Sequence, residues 1–335
     1  MKKEKTTAGN KRFEFYFTKL QLLLNQAVKQ KNPALWLYTN NARTALFMLE
    51  GLAKIYAGLH NKKSFTKIKE QLKLLEDTLG VIDYYDNIAK DFAKNKKIPA
   101  AVVNYLQAQT REKIQSLNEL LIEKKWLSNE DSRIKKMQKK LSKADWLAGD
   151  EEVKMFAEFY GKSIYEITEF VKTKKYRFEN METDVHELRR KLRWLSIYPQ
   201  ALQGCIQLAE NKTSPAHLKK YQTKEIVTSP YNKMPDAADN KQFLILEKKF
   251  FYSLSWMIDA LGKLKDNGLH IIALKEALQQ TAALKDDAAY KKAYQLLGTK
   301  QEKLPALLNR SSAICKVYFE EHNLEHLLLA TGKLK

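Results

Sequence analysis

The chain has 335 residues, with 59 Lys and Arg against 39 Asp and Glu, a formal charge of +20 that points to an anionic partner. A hydrophobic share of 44% supplies a core and excludes general disorder, while 11 Gly and 7 Pro are too few for the turns of a β-sandwich or doubly wound sheet. Two cysteines, Cys205 and Cys315, exclude a disulfide scaffold and lead us to expect buried apolar roles in a reducing, cytoplasmic setting.

No apolar run approaches the ~18 residues of a membrane span. The opening Met1-Lys2-Lys3 precedes a stretch broken by Glu14 and Lys19, so no signal peptide is expected.

Apolar residues recur with a helical period almost throughout. An amphipathic helix over 13–29 stops at Asn32-Pro33, and a second over 34–59 ends near His60-Asn61. Ser64 is positioned to cap a helix over 65–91, where Phe65, Ile68, Leu72, Leu75 and Leu79 recur at three- and four-residue steps. Pro99 opens a helix reaching about Trp126. From Ser128 the chain turns Lys-rich, with Lys135, Lys136, Lys139, Lys140 and Lys143 around Ile134, Met137 and Leu141, which predicts a short helix. The boundary between two domains, 10–148 and 149–330, is placed at its end.

A long helix over 150–175 and a turn at 177–182 lead to a helix capped by Thr183 or Asp184, with Pro199 bending it or marking its later part. Residues 211–240, with Pro215, Pro230 and Pro235, read as the least ordered segment, keeping a helix around 216–226. Helices return over 242–264, 269–284, 286–297 and 303–329. No Val/Ile/Thr alternation predicts a sheet, so the expected class is all-α.

The sharpest feature is a concentration of Arg. Of nine in the chain, Arg189, Arg190 and Arg193 fall within five residues and Arg177 lies just upstream. On a helix at ~100° per residue, His186 and these three Arg share an arc of about 100°, with Val185, Leu188, Leu192 and Leu195 roughly opposite. One face packs, and the other presents guanidiniums suited to bidentate phosphate contacts. His186 either donates to an anion or, as a neutral hydrogen-bonding residue, orients Arg189 or caps a loop.

An internal repeat accompanies this face. Asn40-Asn41-Ala42-Arg43 parallels His186-Glu187-Leu188-Arg189, and Leu79-Gly80 parallels Leu261-Gly262. Two related bundles, or chance likeness between Leu-rich helices, would produce both matches.

The stretch Asp184-Val185-His186-Glu187-Leu188-Arg189-Arg190-Lys191-Leu192-Arg193 resembles the His-x-x-Arg-rich helix of CHAD domains, the conserved histidine α-helical domains. Leu261-Gly262-Lys263-Leu264-Lys265-Asp266 resembles that family's Leu-Gly-x-x-Arg-Asp phrase, with Lys265 in place of Arg. Around Gly80 the phrase departs further, with Asp83 and Tyr84 replacing Arg-Asp and Asp86 where a later acid is common.

The resemblance covers about 11–329. It implies two antiparallel helical bundles related by a pseudo-twofold, with a shared basic cleft that binds inorganic polyphosphate, in the cytoplasm or at polyphosphate granules. Carried over by position, His186, Arg189, Arg190 and Arg193 contact phosphate, joined by Lys265 and Arg43. Arg177, Lys54, Lys69 and Lys73 are further candidates. In the first half Asn40, Thr44 and Phe47 stand where His186, Arg190 and Arg193 stand in the second.

No phosphate-loop, dinucleotide or nucleophile-elbow motif occurs. No cofactor or catalytic residue is therefore expected, and a binding module is favoured over a phosphoanhydride-processing enzyme. A helical nucleic-acid-binding protein is the main alternative. His322 and His326, four apart, have metal-site spacing without a third ligand, among Glu320, Glu321 and Glu325. Trp194 flanks the basic face, either walling a cleft or packing.

Overall fold

Phe13, Phe17, Leu20 and Leu24 form one stripe of the first helix, α1 (Ala8–Ala27), and all four are buried. The computed structural model describes residues 7–59, 62–127, 132–147, 149–211, 215–237 and 240–332. Met1-Lys2-Lys3, the expected helix end at His60-Asn61, and Ser128 lie outside the described residues. About 74% of the structure is helix and 4% strand, which makes the class all-α. The chain divides into two compact units, Met1–Leu147 with Ala273–Leu297, and Ala148–Ile272 with Gly298–Lys335.

In the first unit, Asn32 caps α2 (Pro33–Thr39) by accepting from the Leu35 N–H at 3.0 Å. The single helix expected over 34–59 is two, because Asn41 takes a left-handed φ of 54° that separates α2 from α3 (Ala42–Leu59). Asn tolerates that conformation better than most residues. The next helix, α4 (Lys62–Ala93), begins before Ser64, which is therefore interior rather than a cap. Its Phe65, Ile68, Leu72, Leu75 and Leu79 are buried as their period requires. Pro99 precedes α5 (Ala100–Glu123), and Ser132 caps α6 (Arg133–Leu141), whose four lysines face solvent, as does Lys143 just beyond it.

The second unit opens with α7 (Gly149–Thr173) and a single π-helical turn, Met181–His186, that runs into α8 (Glu187–Ala201). The expected cap at Thr183 or Asp184 is instead Asn180, whose side chain accepts from the Glu182 and Thr183 N–H groups. Asp184 reaches back to accept from the Glu179 and Asn180 N–H groups at 2.8 and 3.0 Å. This is a capping box shifted one residue by the wide turn. Between 216 and 232 lie two 3-10 turns, Ala216–Tyr221 and Pro230–Asn232, around the short α9 (Lys224–Val227).

A small sheet, absent from the sequence reading, joins β1 (Ile206–Ala209), β2 (Phe243–Glu247) and β3 (Leu328–Gly332) in that order. β1 runs parallel to β2, pairing Ile206 with Leu244. β3 runs antiparallel, with an irregularity between Ile245 and Leu246.

Two expected helices, 242–264 and 269–284, are in fact β2 followed by one unbroken α10 (Lys248–Ala282). Gly268, between the two expected helices, is interior: a Cβ there would meet Met181 Cε at 2.6 Å. The end of α10 and α11 (Asp286–Leu297) belong to the first unit rather than to the 149–330 domain. Ala273, Leu274, Ala277, Leu278, Ala289 and Ala293 share a core with Ile88, Phe92, Val102 and Leu106. The last helix, α12 (Leu304–Glu320), ends well before the expected residue 329.

Candidate anion-binding site

Val185, Leu188, Leu192 and Leu195 are fully buried, so the hydrophobic effect fixes the rotation of α8 and turns the opposite face outward. On that face Arg189 lies across α10 at Gly262. A Cβ on Gly262 would stand 2.9 Å from Arg189 Nε and 3.3 Å from Nη2, so the guanidinium occupies the notch that the missing side chain leaves. Arg189 Nε donates to the Ile258 carbonyl at 3.2 Å. Among the described residues it forms no ion pair. Burial lowers its pKa, against the more distant attraction of Asp266 and Asp259.

His186 ends the π-helical turn, three residues before Arg189. Its Nδ1 is buried without a hydrogen-bond partner, and the nearest carboxylate, Glu182, is 3.9 Å away. Burial lowers its pKa below the usual 6.5; Glu182 opposes this, and the charges of Lys265, Arg189 and Arg190 add to it. His186 is accordingly a neutral imidazole at pH 7, hemmed by three cations. Lys265, 15% exposed, pairs with the outlying Asp266 at 2.7 Å. Arg190 is exposed and bridged to Glu187 at 2.6 Å. Arg193 is half-buried one turn further along α8.

The remaining candidates stand elsewhere. Arg177 lines a shallow hollow of about 290 Å³ with Lys174, Lys175 and Asp184. The N–H groups at that helix start are already taken by Asp184, and Lys174 neutralises the carboxylate at 2.8 Å. Arg43, Lys54, Lys69 and Lys73 belong to the first unit. Lys54 pairs with buried Glu50 at 3.4 Å and Lys73 with Asp77 at 2.5 Å, while Lys69 is half-buried on α4.

Arg43 repeats the geometry of Arg189 with the opposite electrostatics. A Cβ on Gly80 of α4 would meet Arg43 Nη2 at 2.8 Å, the same guanidinium-over-glycine contact. Four residues before Gly80 stands Glu76, and three after it Asp83. Glu76 Oε1 accepts from Arg43 Nη2 at 2.6 Å and Nε at 2.9 Å, and Asp83 Oδ2 accepts from Nη1 at 3.0 Å. The residues at those steps from Gly262 are Ile258 and Lys265. One notch thus holds a guanidinium paired with two carboxylates, and the other a guanidinium bonded to a main-chain carbonyl, on a helix that carries Ile258 and Lys265 where the first has its acids. Asn40, at the position of His186, ends α2 with its amide donating to the Trp36 carbonyl.

Sequence reasoning found the cationic face but missed Ile258 and Glu76 as the residues that set its character. Both lie four residues before a glycine on a long helix, and that step alone puts them on the face the Arg crosses.

His322 and His326 lie beyond α12, and His322 takes φ 54° and pairs with Glu325 at 2.6 Å, so the two do not share a helix face. Among the described residues no cluster of three metal-ligating side chains occurs, and no helix is long and apolar enough to cross a membrane. Trp194 stacks on Tyr198 at 5.9 Å, and both cysteines are buried. No family model, curated protein or solved structure matches the chain.

Proposed function

We propose that the chain is a CHAD-like binder of inorganic polyphosphate that holds its ligand on the second unit, through Arg189, His186, Arg190, Arg193 and Lys265, without catalysis. The observation that carries this reading is the state of Arg189, a partly buried guanidinium bonded to the Ile258 carbonyl and forming no ion pair among the described residues, with Asp266 and Asp259 acting on it only at longer range. Removing a charge from water without a counter-ion costs several kcal/mol, and an arriving anion offsets that cost. Each charge-assisted contact to a phosphate oxygen contributes about 1.5–3 kcal/mol.

His186 adds a donor at neutral charge. Its Nδ1 has no hydrogen-bond partner, and His186 precedes Arg189 by three residues, one turn of the chain away. The motif resemblance and the recurrence of the Arg-over-Gly contact in each unit support a CHAD-like repeat. Polyphosphate offers a uniform run of charge with no bases to read, which suits a site made of cations. In the cell this reading places the protein in the cytoplasm or at polyphosphate granules.

The test is a titration of long-chain polyphosphate against duplex DNA of equal total charge at physiological salt. The proposal expects polyphosphate to bind at least tenfold more tightly, with log K falling as log salt rises. Equal affinity for DNA would favour a general nucleic-acid surface, and polyphosphate hydrolysis by the pure protein would favour an enzyme.

A further inference from the structure

The first unit carries the same notch, and the question is what fills it. Arg43 crosses Gly80 as Arg189 crosses Gly262, yet three of its N–H groups are spent on Glu76 and Asp83. Carboxylate and phosphate oxygens both take charge-assisted hydrogen bonds from Arg, and here a single Glu76 oxygen, Oε1, accepts from both Nε and Nη2. Glu76 is buried while Asp83 stands at the rim, 41% exposed. The arrangement runs from a seated anion inside to solvent outside, as a bound oxyanion would. Phe47 lies against the guanidinium at 5.3 Å and leaves its hydrogen-bonding edge to the two acids.

We propose that the Arg43 notch is a second oxyanion site closed by an intramolecular ligand, with Glu76 and Asp83 in the place a phosphate group takes on the second unit. The inference rests on the proposed function for the chemical class of the ligand, tri- or polyphosphate. It adds that the chain carries two copies of the site, of which one is open. A single polyphosphate anchor per chain follows. The residues that open the second unit, Ile258 and Lys265, define the change that would open the first.

The experiment uses the full chain and tripolyphosphate as the probe, followed by calorimetry at low salt. Glu76→Ile/Asp83→Lys transplants the second unit's residues, and Glu76→Gln/Asp83→Asn removes the charges while keeping the shape. Each is made in the wild type and with Arg189→Ala/Arg193→Ala, which silences the second unit. Circular dichroism confirms folding.

The expected result is that the silenced chain binds no tripolyphosphate, the silenced chain with either opening pair binds one, and adding Arg43→Ala abolishes that gain. With the second unit intact, stoichiometry rises from one to two. A folded opening variant that gains no site, or a gain that survives Arg43→Ala, overturns the inference. If the Ile/Lys pair does not fold, the Gln/Asn pair decides. A wild type that binds nothing, alongside a gain in the silenced opening variant, defeats the proposed function and leaves the closed site standing.

Discussion

Arg189 is seated over Gly262 so closely that a single methyl group would collide with it, a Cβ at that glycine falling 2.9 Å from Nε. Among the described residues the guanidinium forms no ion pair; its Nε donates to a main-chain carbonyl, that of Ile258, and Asp266 and Asp259 act on it from further off. The same contact between Arg43 and Gly80 is reinforced by two carboxylates. Two local geometries of one kind therefore differ in what meets the guanidinium: two carboxylates at Arg43, and a main-chain carbonyl at Arg189.

Gly262→Ala separates shape from stability. Ala in a helix interior is favoured over Gly by roughly 0.5–1 kcal/mol, and the atom it strikes is the movable end of an Arg side chain. The melting temperature is expected to hold or rise by a few degrees, while polyphosphate affinity drops about tenfold, the loss of one charge-assisted contact. Unchanged affinity would show that the notch does not position Arg189.

Arg43→Ala is expected to behave in the reverse way. It strands the buried Glu76 carboxylate, and the cost is about 2–4 kcal/mol after allowance for screening at the partly exposed Arg43. Chemical denaturation should show this loss, and Glu76→Ala in the same chain should recover part of it. Purely additive effects would mean that the pair is not coupled.

Asp184 ties the start of the motif helix. Burial raises its pKa, but the Lys174 ion pair and the Glu179 and Asn180 N–H groups outweigh burial and bring it below 3.8. A carboxyl whose folded pKa is depressed contributes stability above its unfolded pKa and loses it as pH falls through the folded value. Asp184→Asn should cost about 1–2 kcal/mol at pH 7. The gap to wild type should close below about pH 4, as thermal melts across pH 3–7 would report. A gap independent of pH would contradict the assigned partners.

His186 gives binding its own pH dependence. Burial and the neighbouring Lys265, Arg189 and Arg190, against Glu182, hold its pKa below 6.5, so the free site is neutral there at pH 7. A bound polyanion screens those cations and raises the pKa, so a proton is taken up on binding. Affinity for long-chain polyphosphate should therefore rise as pH falls below about 6.5. His186→Ala should flatten that part of the profile. An unaltered slope in the variant would remove His186 from the site.

Much of this was legible in the sequence because long helices announce their period. The buried stripe of α4 and the packed side of α8 follow directly from the spacing of Phe65 to Leu79 and of Val185 to Leu195. The strands were not legible: Ile206–Ala209 and Phe243–Glu247 are short apolar runs whose ladder partner lies far along the chain, and such runs fit a helix equally well. The helix α10 runs on through Gly268, where Met181 packs against the bare backbone, a contact no local signal shows. The basic face was visible from Arg spacing. The acids that fill its counterpart, Glu76 and Asp83, stand 33 and 40 residues from Arg43, beyond any local pattern.

The most direct measurement compares polyphosphate affinity in Arg189→Ala/Arg193→Ala and in Arg43→Ala, each shown to be folded, at one salt concentration. The account predicts that the first variant loses affinity by at least a hundredfold, since two charge-assisted contacts go, while the second, although less stable, binds as the wild type does. Normal binding by the first variant, or an equal loss in the second, would contradict it.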